Sequence, residues 1–261
     1  MTVNFVIKGR LGNAIFRYMA CAILCIVTNS EYSSNSGGNI GLTDDMFLNL
    51  SHSLLKDNHI TLPNPNINMI GYYQHDSIYQ KFRKDIFTFI NSNPHHLIIT
   101  DGVNAGDGNY ETFKIYDILN TPTDFKKIYK NVIHLRLEDF VTHNLYIPVD
   151  KIIDLINNDI LTDDNVCIVC KKPTTEFEEN YIKRLLSFLK QKNKHVIIEN
   201  NDLLTDYYIM KEAELLICSK STFAWSAAFF SNKNKICYCP DYHITGSNMT
   251  CKYPTENTKL Y

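Results

Sequence analysis

The first residues with chemical potential are Val132-Ile133-His134-Leu135-Arg136, followed by Leu137-Glu138-Asp139. Along a strand, alternate side chains share a face, so Val132, His134 and Arg136 project together. A histidine and an arginine then meet where the strand gives way to a loop. Ligands of open α/β sheets bind at the carboxyl ends of strands, and a guanidinium grips phosphate oxygens with a fork that lysine lacks. A surface arginine paired with Glu138 or Asp139 would have the same sequence.

Two further segments suit an anion. Ser219-Lys220-Ser221-Thr222 lies between an apolar strand pattern and a helical one. Amides at a helix N-terminus favour negative charge, and neighbouring hydroxyls add donors. Ser221 or Thr222 equally suits a helix cap, and the two roles are compatible. Lys8-Gly9-Arg10-Leu11-Gly12-Asn13 follows the first strand, where glycines let a ligand approach the backbone closely. Its spacing matches neither the dinucleotide nor the P-loop fingerprint, and a tight strand-to-helix turn explains the glycines as well.

The elements that must position these segments alternate between strand and helix, which favours α/β layers over a sandwich or a bundle. A strand at 3–7 leads into a long helix ending near Val27, then into a polar tract at 29–41 that reads as an exposed loop. A helix is expected over 77–90, and a glycine-containing turn over 104–109. Asn120-Thr121-Pro122-Thr123 is the best linker. Beyond it come a strand at 166–170, a charged amphipathic helix at 176–192, a strand at 195–198, a short helix at 206–214, a buried strand at 215–218 and a helix at 223–230.

Composition narrows the chemistry. With 261 residues, 44% of them hydrophobic, the chain is long enough for one large or two small α/β domains. A formal net charge of −2 provides no global field for nucleic acid or an anionic membrane, so phosphate chemistry must come from a local cluster. The apolar stretch at 19–27 is too short to cross a bilayer, and neither a signal peptide nor a membrane anchor is expected. The eight cysteines read as reduced core residues, because a chain of this size folds without disulfides. Cys167 and Cys170 have zinc-knuckle spacing but lie in an apolar run with no second pair at ligand spacing. Cys237 and Cys239 alternate within a short apolar strand.

Together these segments resemble the family 11 glycosyltransferases, whose known members are largely α-1,2-fucosyltransferases. Gly9-Arg10-Leu11-Gly12-Asn13-Ala14-Ile15-Phe16-Arg17-Tyr18 is similar to the family's Gly-Gly-Leu-Gly-Asn-Gln-Met-Phe-Gln-Tyr opening. Gly71-Tyr72-Tyr73-Gln74 resembles its Gly-Tyr-Phe-Gln segment, and His134 to Phe140 its His-x-Arg-Arg-x-Asp-Tyr motif. Asp206-Tyr207-Tyr208-Ile209-Met210 and Ser219 to Ala228 resemble its Asp-Phe-x-Leu-Met and Ser-x-Ser-Thr-Phe-Ser-Trp-Trp-Ala-Ala segments. The opening is also similar to the Gly-Arg-x-Gly-Asn loop of protein O-fucosyltransferases, which share the His-x-Arg element.

The resemblance implies a GT-B architecture of two Rossmann-like domains facing a cleft: an acceptor-side domain over 1–122 and a nucleotide-sugar domain over 123–261. It implies inverting transfer of L-fucose from GDP-fucose to a glycan hydroxyl, with α-1,2 linkage and no cofactor or metal, so arginine must offset charge on the departing diphosphate. The sequence has no Asp-x-Asp pair to hold a metal. By the resemblance, Arg136 contacts the donor's β-phosphate. His134, Ser219, Ser221, Thr222 and Phe223 complete the donor site, and Asp206 helps hold the donor or caps its own helix. Gly9, Arg10, Gly12 and Asn13 form the opposing loop. Asp139 and Glu138 are the nearest carboxylates for a general base, although Asp139 could instead orient Arg136.

Three positions depart from the family: Leu137 replaces a second arginine, Ala14 a glutamine and Ser226 a tryptophan. Another donor sugar, or a nucleotide-sugar binding protein without catalysis, therefore stays open. The expected partners are a nucleotide sugar and a glycan acceptor, with no nucleic acid and no transmembrane segment. Such a transferase would be cytoplasmic, as in a bacterium or an infected host cell.

Overall fold

A computed structural model describes residues 2–5, 9–33, 40–56, 66–69, 71–74, 76–101, 110–233, 235–241 and 253–261. The chain divides between Pro122 and Thr123 into two compact units.

The first unit is built from β1 (Thr2–Phe5), α1 (Leu11–Thr28), β2 (Glu31–Ser33), β3 (Ile40–Leu42), α2 (Asp44–Lys56), β4 (Asn66–Met69), α3 (Asp76–Lys81), α4 (Arg83–Ser92), β5 (Leu97–Asp101), β6 (Tyr110–Lys114) and α5 (Ile115–Leu119). Among the described residues, its main sheet has the order β2-β1-β4-β3 with every pair parallel, and β5 and β6 form a separate antiparallel pair. α1 is apolar nearly all round and mostly buried, as a core helix must be. Its 18 residues make it long and apolar enough to cross a membrane by length and composition, which the 19–27 stretch alone is not.

Two expectations change here. The 29–41 tract contributes β2 and β3, short parallel strands whose polar composition hid them. The helix expected at 77–90 is two helices, α3 and α4, meeting at Phe82. The 104–109 turn lies outside the described residues.

The second unit carries β7 (Asn131–His134), α6 (Glu138–Thr142), α7 (Val149–Asn157), β8 (Asn165–Val169), α8 (Glu176–Gln191), β9 (His195–Glu199), α9 (Leu203–Glu212), β10 (Leu215–Ile217), α10 (Thr222–Phe229), β11 (Ile236–Cys239) and β12 (Thr258–Leu260). Among the described residues these form a six-stranded, all-parallel sheet in the order β12-β11-β10-β7-β8-β9. From β7 the chain runs outward through β8 to β9, returns to β10 beside β7, and runs the other way to β12. This is the doubly wound, Rossmann-like order, which leaves a crevice where β7 and β10 lie side by side.

Alternation along the strands serves both faces. Ile133, Val166, Ile168, Leu215, Ile217 and Tyr238 join the core that α7 and α8 cover. Val132, Cys167, Leu216 and Cys237, pointing the other way, are also fully buried, as parallel sheets require. α8 starts on a capping box: Thr175 Oγ1 accepts from the Glu178 amide, and the Glu178 carboxylate accepts from the Thr175 amide.

Candidate functional site

His134 is the last residue of β7, and Ser219 lies two residues beyond β10. These are the adjacent strands at which the sheet order reverses, and the two side chains meet there, with His134 Nδ1 2.8 Å from Ser219 Oγ. Both are buried. Burial, with the Arg136 charge adding to it, lowers the His134 pKa from 6.5 to about 3, so the ring is neutral at physiological pH. Its ring lies 6.2 Å from that of Phe223, which is 5.3 Å from Tyr207.

The chain turns from Ser219 straight into α10. Ser221 is its cap, with Oγ accepting from the Phe223 amide at 3.3 Å, and Thr222 is its first residue. Ser221 and Thr222 are both half-buried. A hydroxyl pair, first-turn amides and a neutral imidazole therefore stand at the carboxyl edge of the sheet, an arrangement of donors suited to an anion.

Arg136 leaves the same edge by the β7 side. Asp139 takes its fork: Oδ1 accepts from Nε at 3.1 Å and from Nη2 at 2.9 Å, and Oδ2 from Nη2 at 3.2 Å. Glu138 Oε2 is 3.6 Å from Nη1, and the guanidinium carbon lies 5.3 Å from the centre of the Phe140 ring. The pairing with Glu138 and Asp139, one of the alternatives read from the sequence, is thus present, at an arginine two residues beyond the end of β7. Glu138 opens α6 with φ at +25°, a left-handed backbone in a non-glycine residue, and such strain gathers at functional sites.

Asp206 stands apart from this group. It lies in the first turn of α9 and accepts from the Asn201 amide at 3.1 Å and from Asn201 Nδ2 at 2.9 Å. Burial raises its pKa against those bonds. The helix cap is Asp202, whose Oδ1 accepts from the Thr205 amide, because α9 begins at Leu203 rather than at Asp206. Glu199, which no motif marked, ends β9 and accepts from Lys127 at 2.8 Å, Tyr129 at 2.5 Å and Asn201 at 2.8 Å. Burial works against its charge, but these donors outweigh it and hold its pKa below the usual carboxylate value.

In the first unit, two sequence segments converge on each other. Gly9 has φ at +84°, and a Cβ there would stand 3.0 Å from Asn13 Nδ2 and 3.4 Å from the Tyr72 ring. Gln74 Nε2 donates to Asn13 Oδ1 at 3.2 Å. Asp44, at the start of α2, accepts on Oδ1 from the Tyr72 amide at 2.9 Å and the Tyr73 amide at 2.5 Å. Those bonds help hold buried Tyr73 at φ +56°. Arg10 is exposed and Gly12 buried at the head of α1, while Lys8 lies outside the described residues. Asp44 carried no motif; only its place at a helix start could have drawn attention to it.

Seven cysteines are described, all buried and none in a disulfide. Burial lifts Cys170 to about 12 and Cys167 higher still, as expected for inert core thiols.

The fold and the crevice define a doubly wound parallel α/β unit with an anion-suited edge. Comparison with protein-family models, curated proteins and solved structures finds no match to the chain.

Proposed function

We propose that the chain is an inverting, metal-independent glycosyltransferase of GT-B type that moves L-fucose from GDP-fucose to a glycan hydroxyl. The observation that carries this reading is the His134–Ser219 contact at the strand-order reversal, with the α10 N-terminus directly after it. Nucleotides of doubly wound folds lie at that crevice, with their phosphates on a helix N-terminus. The family resemblance supplies the sugar and the nucleotide.

In this reading neutral His134 and the hydroxyls of Ser219, Ser221 and Thr222 bind the diphosphate without adding charge. Arg136 supplies the charge that grows in importance as the sugar–phosphate bond breaks, and stabilises the departing diphosphate. Asp139 keeps the guanidinium plane fixed. Glu138, whose Oε2 stands 3.6 Å from Nη1, is the carboxylate assigned to accept the acceptor hydroxyl's proton. The family resemblance assigns the acceptor-side role to the first unit, where Gly9 and Arg10 lead into α1 and Gln74 braces Asn13.

The test measures GDP release from GDP-fucose with mixed glycan acceptors and EDTA present, for the wild type and Arg136→Ala. Release that survives EDTA and falls by about 10²–10³ in the variant supports the proposal. Release from a different nucleotide sugar overturns the fucose assignment. A rise in melting temperature with GDP but no turnover of any donor makes the chain a binding protein instead.

A further inference from the structure

Cys218, Cys237 and Cys239 take no part in the site above. Leu216 is in register with Cys237, so Cys218, one residue past β10, faces the same side of the sheet as Cys237 and Cys239. Tyr238, between the latter two, faces the opposite core. The Cys218 and Cys237 sulfurs are 3.5 Å apart, those of Cys237 and Cys239 3.6 Å, and all three lie within 4.8 Å of one another. Three sulfurs each about 2.3 Å from one ion stand about 3.8–4.0 Å apart, so closing on a metal needs shifts of only tenths of an ångström.

A buried lysine belongs to the same stretch of chain. Lys235, the next residue with the same alternation on that stretch, is 1% exposed, and its Nζ donates to the Met210 and Ala213 carbonyls at the end of α9.

We propose that Cys218, Cys237 and Cys239 form a buried soft-metal site that takes copper(I) as two thiolates and one thiol. Thiolate ligands select copper(I) and zinc. Zinc calls for four ligands, and among the described residues the group contains three cysteines and neither histidine nor carboxylate. Two thiolates around a monovalent ion leave a single net charge in the core, where three would leave two. Loading releases two protons to solvent and moves no electron. The ion would tie the end of β10, which presents Ser219, to β11.

The test titrates the reduced full-length chain anaerobically with copper(I) against a bicinchoninate competitor. One equivalent retained per chain, with sulfur-only scattering at the copper absorption edge, is the expected result. Cys237→Ser and Cys239→Ser should each weaken retention by at least about tenfold, since even outer-shell changes have effects of that size. Cys167→Ser, outside the cluster, should keep it. Trp225 fluorescence establishes that each variant is folded, and the wild-type scattering stands whether or not the variants fold. No retention by the wild type overturns the site, as does nitrogen or oxygen scattering, or equal loss in Cys167→Ser. Retention of zinc but not copper(I) overturns the monovalent assignment.

Discussion

Acid should destabilise the second unit through His134. The residue is 6% exposed, its Nδ1 is held by Ser219 at 2.8 Å, and burial followed by the Arg136 charge lowers its pKa from 6.5 to about 3. An unfolded histidine takes up a proton below about pH 6.5, whereas the folded one does so only near pH 3. Between these values the unfolded state holds more protons, so stability falls as pH falls; above about pH 6.5 the contribution is fully present. Each pH unit inside the window costs about 1.4 kcal/mol, which amounts to about 2 kcal/mol at pH 5. Denaturant unfolding followed by fluorescence reads this unit selectively, because Trp225, the only tryptophan, is buried in α10. His134→Asn offers Ser219 an amide in place of Nδ1 and does not titrate. Between about pH 7.5 and about pH 5 the wild type should lose about 2 kcal/mol more than the variant. His96, lowered to about 4 by burial and then by His95, titrates in the same window but in the first unit, and it is common to both proteins. Parallel pH dependences for the two proteins would refute the reasoning, because His134 would then be no buried neutral group.

Gly71→Ala should destabilise the first unit by about 1–3 kcal/mol, since the new Cβ would stand 2.9 Å from the Asp44 amide nitrogen and from its Cγ; a far-UV thermal melt unchanged from wild type would contradict the packing described. Asp139→Asn removes a half-exposed ion pair worth at most about 1 kcal/mol, so the melting temperature should hardly move while the donor KM rises as Arg136 loses its support. Were Asp139 the base instead, kcat would fall by about 10²–10⁴ with KM intact.

Legibility followed the range of the interactions involved. β7, β8, β10, α8 and α10 were readable because apolar alternation or a 3.6-residue period decides them locally. α8 also begins on a capping box, formed by Thr175 and Glu178. β2 and β3 were not readable: each is three residues long and gains its place from pairing with β1 and β4, which no local pattern encodes. The break at Phe82 escaped for the same reason, since the apolar period continues through it. In the site, His134 and Ser219 were visible one by one, but their contact spans 85 residues and depends on the strand order. The Asp44 contact with Tyr72 and Tyr73 likewise joins residues that no spacing rule connects.

The three positions that differ from the pattern these segments resemble can be weighed by where they sit. Leu137 is 7% exposed and belongs to the core that α7 and α8 cover, so an arginine there would place an unpaired charge among apolar side chains, at a cost of several kcal/mol. Ala14 and Ser226 are fully buried as well, and Ser226 Oγ donates to the Phe223 carbonyl at 2.9 Å inside α10. Larger residues at either position would need a different core around them. These substitutions therefore fit this chain's own packing and leave the edge residues His134, Arg136, Ser219, Ser221 and Thr222 in place. If a nucleotide sugar binds here, its diphosphate meets one guanidinium rather than two. The balance of its charge then falls to the α10 amides and to hydroxyls, whose contribution does not change between pH 6 and pH 8. A donor affinity that is flat across that range, yet strongly dependent on Ser221 and Thr222, is what this division of labour requires.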